Sequence, residues 1–589
     1  MKTHSVSSLP DFDRIINFRV GADGNLEKRG GAKFILGVAA LIRGALTVST
    51  DEGDYIYYVF ATYLMRLKVS SDLTARSETV GSLKGAVFSS QDEKVCVFMF
   101  AGSVCVLGGG NLYAYNGTSV SVVDGYVPLI QRMTNRLGVG TSFERVNLLT
   151  NKVRARFVAD GSTRDFRLNF AVTSVDAVYV AGTLIDTSKY TVTINERFTT
   201  VTTTSVYTSN SDEEDIIEIW FTLSKDSERS RITSCKRAVA YGGDTDSRIF
   251  LYGGNESATL FPSEPSGADS GQKLSFDYFP SGGQITVGDG NLPVTGACRQ
   301  FDRLALFTPE SAYYTYPKDE GVTNGIRFFS FPILPLNSDV GATECGGAVL
   351  CENEPYALSQ GGLYRFKSTS VRDERLAIRI EPPEYLGFAE NFESMTLFVN
   401  RLRGEVWCHA GDKVAIYNAR KDCWYQFTGV SADGIFNFKG EAAYFSGKSF
   451  RIFTDTIHSD GLTAFTAECE TKWIELDGAT KSASLTAGAI IGSSDSARTA
   501  KFELLSDCGV RPALDESGTA IGLRKVSRQF KSPPSDSPTV FETRARVRRT
   551  RHVKLLLRSV SAGVNEDGEA VEVSDSNPLV ISSMFVKEG

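Results

Sequence analysis

The sequence is short of the residues that most often carry chemistry. It holds four histidines and four tryptophans in 589 residues. His4, His409, His458 and His552 stand far apart, with no motif beside any of them. A histidine-based metal site or a histidine-activated nucleophile is therefore unsupported. Ten cysteines are scattered without a C-x-x-C pair, and the Cys408-His409 pair has no further metal-ligand spacing around it. Cys96, Cys105 and Cys408 lie in apolar, strand-like runs. They are expected to be small buried hydrophobes in a reducing compartment, with a disulfide framework as the alternative.

Long apolar runs are also missing. The longest, FILGVAALIRGALTV, is broken by Arg43 and two glycines, and it falls short of the ~18–20 residues that span a bilayer. No charged segment followed by an apolar core opens the chain. The expectation is a soluble protein made in a cytoplasm. A net charge of −7 argues against a protein that wraps nucleic acid in a strong positive field. It leaves open a channel through which nucleic acid slides.

Helical periodicity is scarce as well. What recurs is the strand: short runs rich in Val, Ile, Tyr and Phe, each ended by Gly, Asn or Asp. KVCVFMFAGSVCVLGGGNLYAYNGTSV (94–120) reads as three strands, and so do GEVWCHAGDKVAIYNARKDCWYQFTGV (404–430) and GIFNFKGEAAYFSGKSFRIFTD (434–455). RLALFTPESAYYTYP (303–317) reads as a hairpin. Such units recur at about 40 to 50 residues, the spacing of propeller blades. The expected fold is all-β: a β-propeller, with six blades the expected count and a sandwich the competitor.

Two regions depart from this pattern. Residues 150–233 are Thr-rich alternating strands, read as a small β-sandwich inserted between blades, with an acidic loop at 209–215. Residues 462–589 read as a separate C-terminal β-domain. The expected organisation is thus 1–149 for an N-terminal segment and the first blades, 150–233 for the insert, 234–461 for the remaining blades and 462–589 for the end domain. Within the last, FETRARVRRTRHVKLLLRSVSAG (541–563) alternates with period two. Arg544, Arg546, Arg548, Arg549 and Arg551, followed by Lys554 and Arg558, form a candidate contact with DNA or protein.

Reactive motifs are absent. LGGGNLYAY has the glycines of a phosphate loop but leads into a strand, so a hairpin turn is the reading. There is no G-x-S-x-G elbow, no H-E-x-x-H and no calcium loop. STDEGDYIYY (49–58) resembles a sialidase Asp-box at Ser49, Asp51 and Gly53 and departs from it thereafter. Asp244, Asp246 and Asp302 are the acid/base candidates a glycosidase would need. Turn carboxylates of this kind more commonly have no catalytic role. No catalytic residue, metal ligand or cofactor site is expected.

RIINFRVGADGNLEKRGGAKFI resembles the start of tail nozzle proteins of short-tailed bacteriophages, also called DNA-stabilisation or head-completion proteins. The matching residues are Asn17, Arg19, Val20, Asp23-Gly24, Leu26, Lys28-Arg29 and Gly31. YVPLI with SFERVNLLTNKVRARF, DSRIFLYGGNES, the stretch from YFPSGGQITVGDG to ESAYYTY, YALSQGGLYRF and VRDERLAIRI resemble later segments of that family, in order. The resemblance covers residues 12–460 and fades in the end domain. It implies a non-enzymatic virion protein of the tail, built on a propeller and assembled as a ring, typically a hexamer. The ring would sit below portal and adaptor, extend the DNA channel with transient DNA contact, help retain packaged DNA, and carry fibre or spike proteins. Arg19, Lys28 and Arg29 are candidate interface residues, with simple chain reversal as the structural alternative. The alternatives for the whole chain are a glycan-degrading propeller enzyme or a receptor-binding module of the tail.

Overall fold

The computed structural model describes residues 3–6, 12–51, 53–209, 216–265, 274–323, 326–368 and 375–460. In the end domain it describes 463–476, 483–492, 498–506, 513–514, 520–521, 524–532, 535, 537–547, 551–559, 562–564, 570–572 and 579–588. The fold is all-β, with only short helical turns such as Arg229–Thr233 among the described residues.

Alternation of apolar and polar residues, closed by tight turns, builds four-stranded antiparallel meanders. Cys96–Phe100 turns into Ser103–Gly108 through Ala101-Gly102, both at positive φ. Lys439-Gly440 does the same between Gly434–Phe438 and Glu441–Ser446. Two successive positive φ values match the right-handed twist of the flanking strands.

Seven such units form. They comprise residues 42–82, 96–122, 237–286, 296–337, 348–380, 396–428 and 434–454. The expected count of six is corrected to seven. The reason is the closing unit: its fourth strand is Gly31–Gly37, which pairs antiparallel with Ser449–Thr454 from the far side of the sequence. The unit at 396–428 takes its first strand from Thr396–Asn400, ahead of the stretch that reads as three strands.

The first strands of consecutive units touch one another, and that of the last unit, Gly434–Phe438, touches that of the first, Ile42–Thr50. The cycle is closed. Burial follows the same plan. Ile56, Tyr58 and Leu67 of the first unit pack with Phe438, Phe445 and Phe450 of the last. Cys105 and Leu112 pack with Ile249 and Leu251. Seven apolar clusters each join two neighbouring units, one of them running on into the end domain, so each of the seven units is covered on both faces.

The insert is two sheets over one core. Its larger sheet recruits Leu129–Thr134 and Thr141–Ser142 from before residue 150, alongside Lys152–Phe157, Ile217–Leu223 and Val172–Val180. The smaller sheet is Asp165–Leu168, Thr199–Thr203 and Tyr190–Ile194. Phe157, Phe166, Val201, Ile219 and Phe221 fill the space between.

The end domain takes strands from both chain regions. Phe12–Ile16 pairs with Glu468–Thr471, and Leu26–Lys28 pairs with Val580–Glu588. Ile15, Phe18 and Leu26 share a core with Leu485, Leu555 and Met584. Residues 12–28 thus pair with the end domain, and Ile16 also bridges to Gln426 of the unit at 396–428. Residues 31–37 then close the seventh.

Candidate functional site: a buried N-terminal strap and an arginine-lined cleft

The residues that carry the sequence resemblance sit where three parts of the molecule meet. Asn17 is buried with φ +53. Its amide donates to Thr428 Oγ1 and to the Thr466 carbonyl, both at 2.8 Å. Its Oδ1 accepts from Arg29 Nε and from the Thr428 amide, both at 3.0 Å. Arg29 is 1% exposed. Its Nη1 donates to the Gly30 carbonyl at 3.1 Å and to Asp460 Oδ1 at 2.9 Å. Its Nη2 donates to the Thr428 carbonyl and to Asp460 Oδ2. The Phe465 ring stacks 3.7 Å from the guanidinium. All five N–H donors of Arg29 are therefore satisfied in place.

Arg19, also buried, ion-pairs with Glu405 at 3.2 Å. Glu405 is fully enclosed and accepts from Trp407 Nε1 at 2.9 Å and Tyr425 OH at 2.6 Å. Buried Lys28 lies 5.1 Å from the Phe465 ring centre. The candidate interface residues Arg19, Lys28 and Arg29 thus face inward. The correction has a plain cause: both faces of this strap are covered, one by the end domain and the other by the units at 396–428 and 434–454. The two glycines that follow are required by the same closeness. A Cβ on Gly31 would stand 1.9 Å from the Ser459 carbonyl oxygen, and one on Gly30 2.4 Å from that of Thr454.

Two of the four histidines hold backbone in place. His458 Nδ1 donates to the Arg29 carbonyl at 3.0 Å, and His409 Nε2 lies 3.1 Å from the Val430 carbonyl. Burial lowers the pKa of both. The nine described cysteines carry no disulfide, and Cys345 is the exposed one among them. Burial pushes the Cys96 thiol up to about 11.

The basic run of the end domain divides. Arg544 is exposed on Thr539–Val547, opposite Thr486, and Arg546 occupies the position opposite Ser484. Arg548 and Arg549 lie outside the described residues. Arg551 is exposed, its carbonyl accepting from the Leu476 amide at 2.8 Å. Further along, Lys554 meets Asp13 at 2.8 Å and Glu470 at 2.6 Å, and Arg558 donates to Glu468 at 2.6 Å. Burial alone would lower the Lys554 pKa; the two carboxylates outweigh it and raise it.

Of the glycosidase candidates, the Asp244 side chain lies outside the described residues. Asp246 is held by Arg299, and the exposed Asp302 lies 3.9 Å from Arg303. The Asp-box-like turn is a hairpin tip in which Ser49 Oγ donates to Asp54 at 2.6 Å. The acidic loop lies, from residue 210 to 215, outside the described residues.

A cleft that sequence reasoning missed opens between the insert, the unit at 237–286 and a hairpin, Lys318–Thr323 with Ile326–Ser330, that stands out from the next unit. Its volume is about 1320 Å³, and six arginines and three glutamates line it. Several of the arginines lie over aromatic rings. Arg132 lies 5.1 Å from Phe143, Arg145 5.5 Å from Phe328, and Arg327 5.5 Å from Phe329. Arg248 lies 5.7 Å from Phe329 and 5.5 Å from Phe331. Arg154 and Arg156 share Glu218 at 3.3 and 2.5 Å. Burial would raise the Glu218 carboxyl, but hydrogen bonds from Arg156 and Trp220 and the charges of both arginines hold it below the ordinary range. These arginines come from segments spread over some two hundred residues, and only the alternation in KVRARF hinted at them.

No family model and no curated protein matches the chain. Among solved structures it is similar to an exo-β-1,3-galactanase from Phanerochaete chrysosporium at 7% identity and a TM-score of 0.20, over 95% of this chain and 100% of that one. It is similar to the extracellular domain of BT4673 from B. thetaiotaomicron at 9% identity and a TM-score of 0.18, over 85% of this chain and 80% of that one. Likeness at this level carries no argument about function.

Proposed function

We infer that the chain is a non-enzymatic structural protein of a phage tail, a nozzle subunit that assembles as a ring and extends the DNA channel. In this reading the seven units are blades of a β-propeller, and the insert and end domain are its attachments to neighbouring copies and to portal, adaptor, fibre or spike proteins. The observation that carries the reading is the strap. Asn17, Arg19, Lys28, Arg29 and Gly31, which bear the resemblance to nozzle proteins, are the residues that tie the end domain to the ring-closing strand. A sequence motif spent on rigid joining, rather than on a reactive group, suits a part whose task is shape.

A ring requires two different faces on each subunit, and two domains on one disc supply them. Of the basic run, Arg544 and Arg551, both exposed, are candidates for transient contact with phosphates. The test is antibody against the purified protein applied to particles of the phage that encodes it. Label at the tail axis supports the reading. Label confined to peripheral appendages moves it to receptor binding or glycan cleavage, and absence from all particles overturns it.

A further inference from the structure

We propose that the arginine-lined cleft receives an extended, acidic peptide segment of a partner protein and so ties the insert to the ring. Three observations carry this. The first is charge: six arginines and three glutamates line the cleft, and with Glu218 holding Arg154 and Arg156 and Glu264 holding Arg248, the exposed Arg145 and Arg327 are the ones that face a ligand. The second is how the arginines are held. Arg145 lies 5.5 Å from the Phe328 ring centre and Arg327 5.5 Å from that of Phe329, both exposed, whereas Arg248 is buried and already paired with Glu264 at 2.9 Å. An exposed guanidinium offers a planar fork of donors that a bidentate acceptor such as a carboxylate fits. Arg145 donates to the Gly282 carbonyl at 3.2 Å, and Arg327, 63% exposed, pairs with Asp319 at the surface; such exposed pairs exchange easily.

The third is the backbone. Ile285–Thr286 is the last strand of its sheet, and Ile326–Ser330 pairs with one strand only, so among the described residues each leaves an edge beside the cleft. An extended peptide adds to such an edge through main-chain bonds, while alternate side chains reach the pockets. A continuous polyanion suits the site less. Glu144, Glu264 and Glu320 in the lining would oppose a nucleic-acid backbone at every step, whereas a peptide places acids only where arginines wait.

The experiment is fluorescence anisotropy with the full chain and a labelled peptide of alternating Glu with Val or Phe. Its Gln counterpart and a labelled single-stranded oligothymidylate are the comparisons. The acidic peptide should bind, and binding should weaken between about 50 mM and about 500 mM salt. Arg145→Gln combined with Arg327→Gln should cost about tenfold or more. Both residues are exposed, so circular dichroism should show an unchanged fold. Equal binding of the Gln peptide, tighter binding of the oligonucleotide, an unaltered affinity in the double variant, or no binding at all would each overturn the proposal. None of these outcomes bears on tail-axis labelling, so the nozzle reading stands or falls separately.

Discussion

Arg29 and Asp460 meet as a two-pronged ion pair across 431 positions of sequence, with Asp460 also accepting from the Ala32 amide at 3.0 Å. The pair joins the strap, the ring-closing strand and the segment that follows the seventh unit. Truncating one partner leaves the other buried and uncompensated. Asp460→Ala or Arg29→Met should therefore destabilise by about 3–5 kcal/mol, measured by urea unfolding. Arg29→Met with Asp460→Leu should recover part of that loss. Additive losses in the double variant would argue against a coupled pair.

Gly31 tests the closeness of the strap. Gly31→Ala drives a Cβ into the Ser459 carbonyl, and such overpacking costs about 1–3 kcal/mol. Gly24→Ala, where a Cβ would meet nothing within 4 Å but φ is +87, should cost about 1–2 kcal/mol through backbone strain alone. Equal unfolding midpoints for wild type and Gly31→Ala would contradict the contact.

Acid should loosen the same region. Burial depresses the folded-state pKa of His409 and His458 below their unfolded value near ~6.5. The unfolded chain then binds more protons between the two values, so stability is complete above the unfolded value and falls as pH drops through that window. Unfolding midpoints measured from neutral pH downward should fall, and His409→Gln should flatten the curve. A midpoint that rises on acidification over this window would contradict the assignment.

Thiol chemistry offers a simple check on packing. In a Cys508→Ser background, an aromatic disulfide reagent should label Cys345 quickly, because it is exposed, while Cys408 and Cys469 react only on unfolding because burial raises their thiols. Cys345→Ser should remove the fast phase. Persistence of an equal fast phase would mean that another cysteine is open.

Much of the fold was legible because its signals are local. Ala101-Gly102 and Lys439-Gly440 declare their hairpins within a few residues. The fourth strand of the seventh unit was not legible, since Gly31–Gly37 finds its partner over four hundred residues away. The strap was legible as a motif and misplaced in space. Period-two patterning tells inside from outside only when one face of a strand meets water, and at Arg19 and Lys28 neither does. Their partners, Glu405 and Phe465, carry no local mark. The cleft was hidden for the same reason: Arg145, Arg248 and Arg327 come together only after the insert packs beside two neighbouring units.

The most direct test of the central claim is electron microscopy of the purified full-length chain, with class averages viewed down the particle axis. The account predicts closed rings around an open channel, each subunit carrying a seven-lobed disc with two projections. Monomers at every concentration, or discs with another number of lobes, would contradict it.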